Sequence, residues 1–107
     1  MRAVRPLPLE LVLSTGRQRT ATLDLSAGGF STFVPVALRA GEVIGFVLGL
    51  GSGDLQGRAR VMNVLDEGTS YRVSFKLEGV RSADSERMET EVLDAALQQF
   101  EFFASHS

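Results

Sequence analysis

Residues 18–30 read Gln18-Arg19-Thr20-Ala21-Thr22-Leu23-Asp24-Leu25-Ser26-Ala27-Gly28-Gly29-Phe30, and up to Leu25 their polarity alternates. Ala21, Leu23 and Leu25 fall on one side, with Thr20, Thr22 and Asp24 on the other. Period two is the signature of a half-buried strand, so the first set is expected against a core and the second toward solvent. Gly28-Gly29 breaks the strand, and Phe30 to Val34 opens the next.

The same rhythm continues on both sides. Leucines occupy positions 7, 9, 11 and 13, which predicts a strand from Leu7 to Leu13. Pro6 and Pro8 place its beginning on an edge, and Ser14-Thr15-Gly16 follows as a turn. After a turn at Leu38 to Gly41, the apolar run Glu42 to Leu50 has strand length and ends in the hairpin signal Gly51-Ser52-Gly53-Asp54. Leu55 to Leu65 and Ser70 to Leu77 are two further strands, joined through Asp66-Glu67-Gly68. Six short strands with turns between them predict a small barrel or sandwich.

The period changes near the end. Between Ala83 and Ala104, Met88, Val92, Ala95, Ala96, Phe100 and Phe103 recur at steps of three and four, which predicts an amphipathic helix over 83–104. Ser82 and Asp84 suit its N-terminal cap, and Arg87, Glu91, Asp94 and Gln98 form its polar side. Glu86, Glu89 and Glu91 read as a solvated face. Phe100, Phe102 and Phe103 cannot all share one side, leaving an aromatic for a partner.

Composition removes whole classes of function. The 107 residues suit one domain, 1–107, with 44% apolar and 22% charged residues. There is no cysteine, so thiol nucleophiles, disulfides and thiolate metal sites are excluded. The one histidine, His106, lies at the end of the chain and cannot build a hydrolytic triad or a zinc site by itself. The chain is read as no enzyme. Its net charge of −2 argues against DNA or RNA as a partner, because such affinity comes from phosphate neutralisation. The longest apolar stretch, Val43 to Leu50, is cut by Gly45 and Gly49, so no membrane insertion is expected. Nothing at the start reads as an export signal, and the expected location is cytoplasmic. Gly49-Leu50-Gly51-Ser52-Gly53 lacks the Gly-Lys-Ser/Thr ending of a phosphate loop and reads as a hairpin turn. Ten of the eleven basic residues are arginines, Lys76 being the exception. Arginine suits planar, bidentate recognition of phosphates and guanine edges, although a GC-rich genome produces the same bias.

Within residues 22–30, Asp24 and Ser26 lie two apart and so share a strand face. A carboxylate there can accept two hydrogen bonds from the N1 and N2 donors of guanine, and Gly28 and Gly29 permit close approach by a ligand. The alternative is an Asx or Ser turn with a glycine bulge that does nothing but end a strand.

This constellation resembles the PilZ family, whose signature is an arginine pair, Arg-x-x-x-Arg, followed by Asp/Asn-x-Ser-x-x-Gly. The second element is matched in full by Asp24-Leu25-Ser26-Ala27-Gly28-Gly29. In the first, Arg5 stands for the final arginine, while the position four before it is Met1 and Arg2 lies three before it. Met1 is either a true start or a substitute for a native residue in an excised domain. The resemblance implies a six-stranded antiparallel β-barrel over 7–77 with a C-terminal α-helix and an arginine-bearing arm at 1–6. It also implies a receptor for the second messenger cyclic di-GMP, with no other cofactor. Arg5, helped by Arg2, would close over the ligand while Asp24, Ser26, Gly28 and Gly29 hold it from the barrel. Arg17 and Arg19 are auxiliary candidates, or solvated charges beside a turn. A lost charge-assisted partner at Met1 would cost ~1.5–3 kcal/mol.

Two rivals stand beside this expectation. One is a degenerate PilZ domain that binds no nucleotide and serves as an interaction or homodimerisation module for a partner protein or a parent-protein domain. The other is a different small barrel for single-stranded nucleic acid, for which Tyr71-Arg72-Val73-Ser74-Phe75-Lys76 is the one basic-aromatic stretch.

Overall fold

In the computed structural model residues 2–106 are described, with side chains as far as Gln98. Met1, and the side chains of Phe100, Phe102, Phe103 and His106, lie outside the described residues. The described elements are β1 (Arg2–Ala3), β2 (Pro8–Leu13), β3 (Gly16–Ser26), β4 (Gly29–Val34), β5 (Val43–Leu50), β6 (Gly53–Asp66), β7 (Tyr71–Glu78) and α1 (Ser82–His106).

All pairings are antiparallel, and they run β3-β2-β5-β6-β7-β4 before returning from β4 to β3. The six long strands therefore close into a barrel with no free edge among them, which disposes of the usual edge-strand liability. The two-residue β1 is an addition. It pairs Arg2 with Ser26 and Ala3 with Leu25, on the flank of β3 that β2 vacates after Pro8 pairs with Ala21. Residues 2–13 thus run along one side of β3, with a gap at residues 4–7. Thr22 spans that gap: its Oγ1 accepts the Leu7 N–H at 2.9 Å and donates to the Arg5 carbonyl.

The barrel interior is filled by leucines 9, 11, 25, 48 and 55 with Val61, Val73 and the aromatic trio Phe30, Phe46 and Phe75. Phe30 meets Phe46 edge-on at 5.3 Å and Phe75 at 5.2 Å, spacings at which aromatic quadrupoles attract. Met88, Val92 and Ala95 of α1 join the same core together with Ala3 of the arm, so the helix packs onto the barrel through the stripe expected of it.

The strand positions agree with the alternation, but the facing of β3 does not. The residues that look inward along its first half are Thr20 and Thr22, paired across from the core strand that carries Leu9 and Leu11, while Ala21 is exposed and Leu23 half-buried. The register of β3 against β4 shifts between Thr22 and Asp24. One extra residue there flips the alternation, which turns Leu25 into the core and sends Asp24 and Ser26 to the outer wall. The buried threonines are satisfied internally: Thr32 Oγ1 donates to the Ala21 carbonyl at 2.7 Å and lies 3.1 Å from Thr20 Oγ1.

The polar side of α1 also needs correcting. Glu91, expected in solvent, is 6% exposed. It sits beside the β5–β6 turn, where its Oε1 accepts the Gly51 N–H at 3.3 Å and lies 3.9 Å from Arg5 Nε. One helical turn earlier, Arg87 donates to the carbonyls of Gly53 and Asp54 at 2.8 and 3.0 Å. A helical wheel cannot show that a hairpin tip and the N-terminal arm cover this face.

Candidate functional site

The outer wall of the barrel is concave where β3, β4, β6 and β7 meet, around a cavity of about 330 Å³. Its floor is the β3–β4 turn, with Asp24 and Ser26 ascending from β3 and Gly28 and Gly29 beyond them. Asp24 and Ser26 reach this wall only because the bulge at Thr22–Asp24 has reversed the strand's facing.

The two glycines differ. A Cβ on Gly29 would lie 2.0 Å from the Phe75 carbonyl oxygen, so β4 can approach β7 here only because no side chain intervenes. At Gly28 a Cβ would meet nothing within 4 Å, so this glycine leaves open space above the floor. Gly28 is also tied down through its carbonyl, which accepts the Leu77 N–H at 2.9 Å.

The electrostatics centre on Asp24, whose carboxylate is largely withdrawn from solvent. Two guanidiniums approach the same oxygen, Oδ2: Arg2 Nη1 at 3.8 Å and Arg72 Nη2 at 3.5 Å. Both are longer than a well-formed charge-assisted hydrogen bond of ~2.8 Å, so these cations are held near Asp24 without being locked to it. Lys76 completes the positive rim, and Ser74 and the exposed Met62 also line the cavity.

Of the residues singled out from sequence, Arg2, Asp24, Ser26, Gly28 and Gly29 are brought together around this cavity. Arg5 is not among them: it points the other way, toward Glu91 of α1. Arg17 pairs with Glu10 at 2.9 Å, seven residues along β3 and so roughly 23 Å from Asp24. Arg19 lies beside Pro8 and Glu10 in a separate groove. Sequence reading missed Met62, and it noted Arg72, Ser74 and Lys76 only as part of the basic-aromatic stretch of the nucleic-acid alternative. The last three are alternate positions of one strand, so the polar face of β7 was visible as a pattern. What was not visible is its register, which sets Ser74 against Ser31 and Lys76 against Gly29.

The PilZ domain family model matches residues 1–94. The chain belongs to the PilZ domain family. Membership places it among regulatory modules without catalytic activity. Among solved structures, it is similar to the PilZ domain of YcgR from Escherichia coli with c-di-GMP, at 18% identity and a TM-score of 0.77, covering 97% of this chain and 95% of that one. It is also similar to the MrkH–c-di-GMP complex of K. pneumonia, at 21% identity and a TM-score of 0.79, covering 94% of this chain and 53% of that one. A third likeness is to the inhibitor of motility MotI/DgrA of Bacillus subtilis, at 14% identity and a TM-score of 0.76, covering 94% and 50%. This PilZ domain therefore spans about half the length of MrkH and MotI. No protein of curated function matches the sequence. Among the described residues of this PilZ domain, no helix is long and apolar enough to cross a membrane.

Proposed function

We propose that this PilZ domain is a cytoplasmic receptor for cyclic di-GMP, in which residues 1–107 act as one unit. The observation that carries this reading is the convergence of Asp24, Ser26 and the open Gly28 with two cations, Arg2 and Lys76, on one concave wall, with a third, Arg72, at the Asp24 carboxylate. The Asp24 carboxylate accepts the N1–H and N2–H donors of a guanine, and Ser26 supplies a hydroxyl beside it. Arginine forks match the phosphates and the O6/N7 edge of guanine, which gives each contact two parallel hydrogen bonds. The long Arg2–Asp24 and Arg72–Asp24 separations suit cations that turn from the carboxylate to an incoming phosphate. Arg5 reaches the ligand by leaving Glu91, and the arm then closes over the site. The similar YcgR PilZ domain and MrkH were solved with c-di-GMP, which supports the reading by kinship.

A second reading, a domain that keeps its barrel as a scaffold for protein contacts, is favoured by Leu93 and Leu97, two exposed leucines four apart on α1. Calorimetric titration separates the two. Saturable uptake of cyclic di-GMP that is lost in Asp24→Ala supports the receptor; silence, with sedimentation as a ligand-independent dimer, supports the scaffold.

A further inference from the structure

The two arginines of the arm face opposite ways: Arg2 touches Asp24 in the cavity, and Arg5 lies against Glu91 on the helix. Ala3 is buried between them in the core shared with α1. Resting on the receptor reading, we propose that Arg5 and Glu91 form a latch that holds Arg5 away from the ligand while Arg2 already lies in the cavity, and that ligand binding, by removing Arg5, frees helix α1.

Three observations converge. The pairing is poor for Arg5, because its Nε stands 3.9 Å from the carboxylate and its Nη1 is buried with no hydrogen-bond partner. A guanidinium in that state gives up little when it exchanges Glu91 for a phosphate or a base edge that engages the whole fork. Glu91 is in the opposite position. Its carboxylate is almost fully buried, and its partners are Arg5 and the Gly51 N–H. Once Arg5 departs, a buried carboxylate is left without its cation, a costly arrangement that is relieved when the helix moves and water reaches Glu91. The helix, the β5–β6 turn and the arm meet at this one side chain, so occupancy of the cavity on one side of the arm is felt by α1 on the other. Linkage makes the coupling reciprocal: whatever weakens the latch strengthens ligand binding by the same factor.

The test is titration of cyclic di-GMP into the full chain and into Glu91→Gln, with amide hydrogen exchange of residues 82–98 followed in both, free and saturated. Glutamine keeps an oxygen for the Gly51 N–H while removing the charge. The latch predicts that Glu91→Gln binds about three- to tenfold more tightly than the parent chain. It also predicts that ligand speeds exchange in α1 of the parent chain and does so much less in the variant. Binding by the parent chain with equal or weaker binding by Glu91→Gln, and an α1 whose exchange ignores the ligand, overturns the latch and leaves the receptor standing. Absence of binding by both chains overturns the receptor reading and the latch with it. Should Glu91→Gln not fold, the exchange of α1 in the parent chain decides by itself.

Discussion

Gly28 and Gly29 are neighbours in one motif, and the structure assigns them unlike tasks that a pair of alanine substitutions separates. On Gly29 a Cβ would stand 2.0 Å from the Phe75 carbonyl oxygen, 3.1 Å from its carbon and 3.3 Å from Lys76 Cα. The first distance falls about 1.4 Å short of ordinary contact. Each obstacle is backbone, so no rotamer change relieves the clash and β4 must back away from β7 where Gly29 pairs with Lys76. Overpacking of this kind costs about 1–3 kcal/mol, and an obstacle that cannot yield places Gly29→Ala near the upper end. For a domain of this size about 3 kcal/mol lowers Tm by roughly 12–24 °C. Gly28→Ala meets nothing and stays within about 0.5 kcal/mol of the parent chain. Its methyl group enters the cavity instead and weakens cyclic di-GMP binding. Urea and thermal denaturation by circular dichroism measure the first pair of numbers, and calorimetry the last. A Gly29→Ala chain as stable as the parent, or a Gly28→Ala chain that unfolds early, would refute the division of roles.

Thr22→Val leaves the Leu7 N–H and the Arg5 carbonyl without their partner and should cost about 1–3 kcal/mol in urea denaturation, with faster amide exchange at Leu7. Met88→Ala removes a fully buried side chain where α1 meets the barrel and should cost about 2–5 kcal/mol by the same assay. Arg72→Ala should weaken cyclic di-GMP binding about tenfold or more, the loss of one charge-assisted partner, with the melting temperature little changed because the half-exposed Arg72 pairs loosely and Arg2 still faces Asp24.

Much of the fold could be read directly from residue patterns, and the failures have a common physical origin. The strands β2 to β7 and the turns at Ser14-Thr15, Gly51-Ser52 and Glu67-Gly68 follow from local alternation and turn chemistry, which act between near neighbours. The facing of β3 does not, because it is decided by a bulge, and a bulge depends on which strand pairs opposite. The Thr22–Asp24 shift is matched by one at Val61–Asn63 in β6, which lies next to Met62 of the cavity. Local spacing found Asp24, Ser26 and the glycines because they are contiguous, whereas Arg72, Ser74 and Lys76 arrive from a strand about fifty residues away through register alone. Glu91 was misread for a similar reason: its burial comes from Gly51 and Arg5, both remote in sequence.

The most direct test of the receptor reading is calorimetric titration of cyclic di-GMP into this chain, with Asp24→Ala as the companion. The account predicts saturable binding by the parent chain and its loss in Asp24→Ala, with both chains folded by circular dichroism. No heat from the parent chain, or equal affinity in Asp24→Ala, would contradict it.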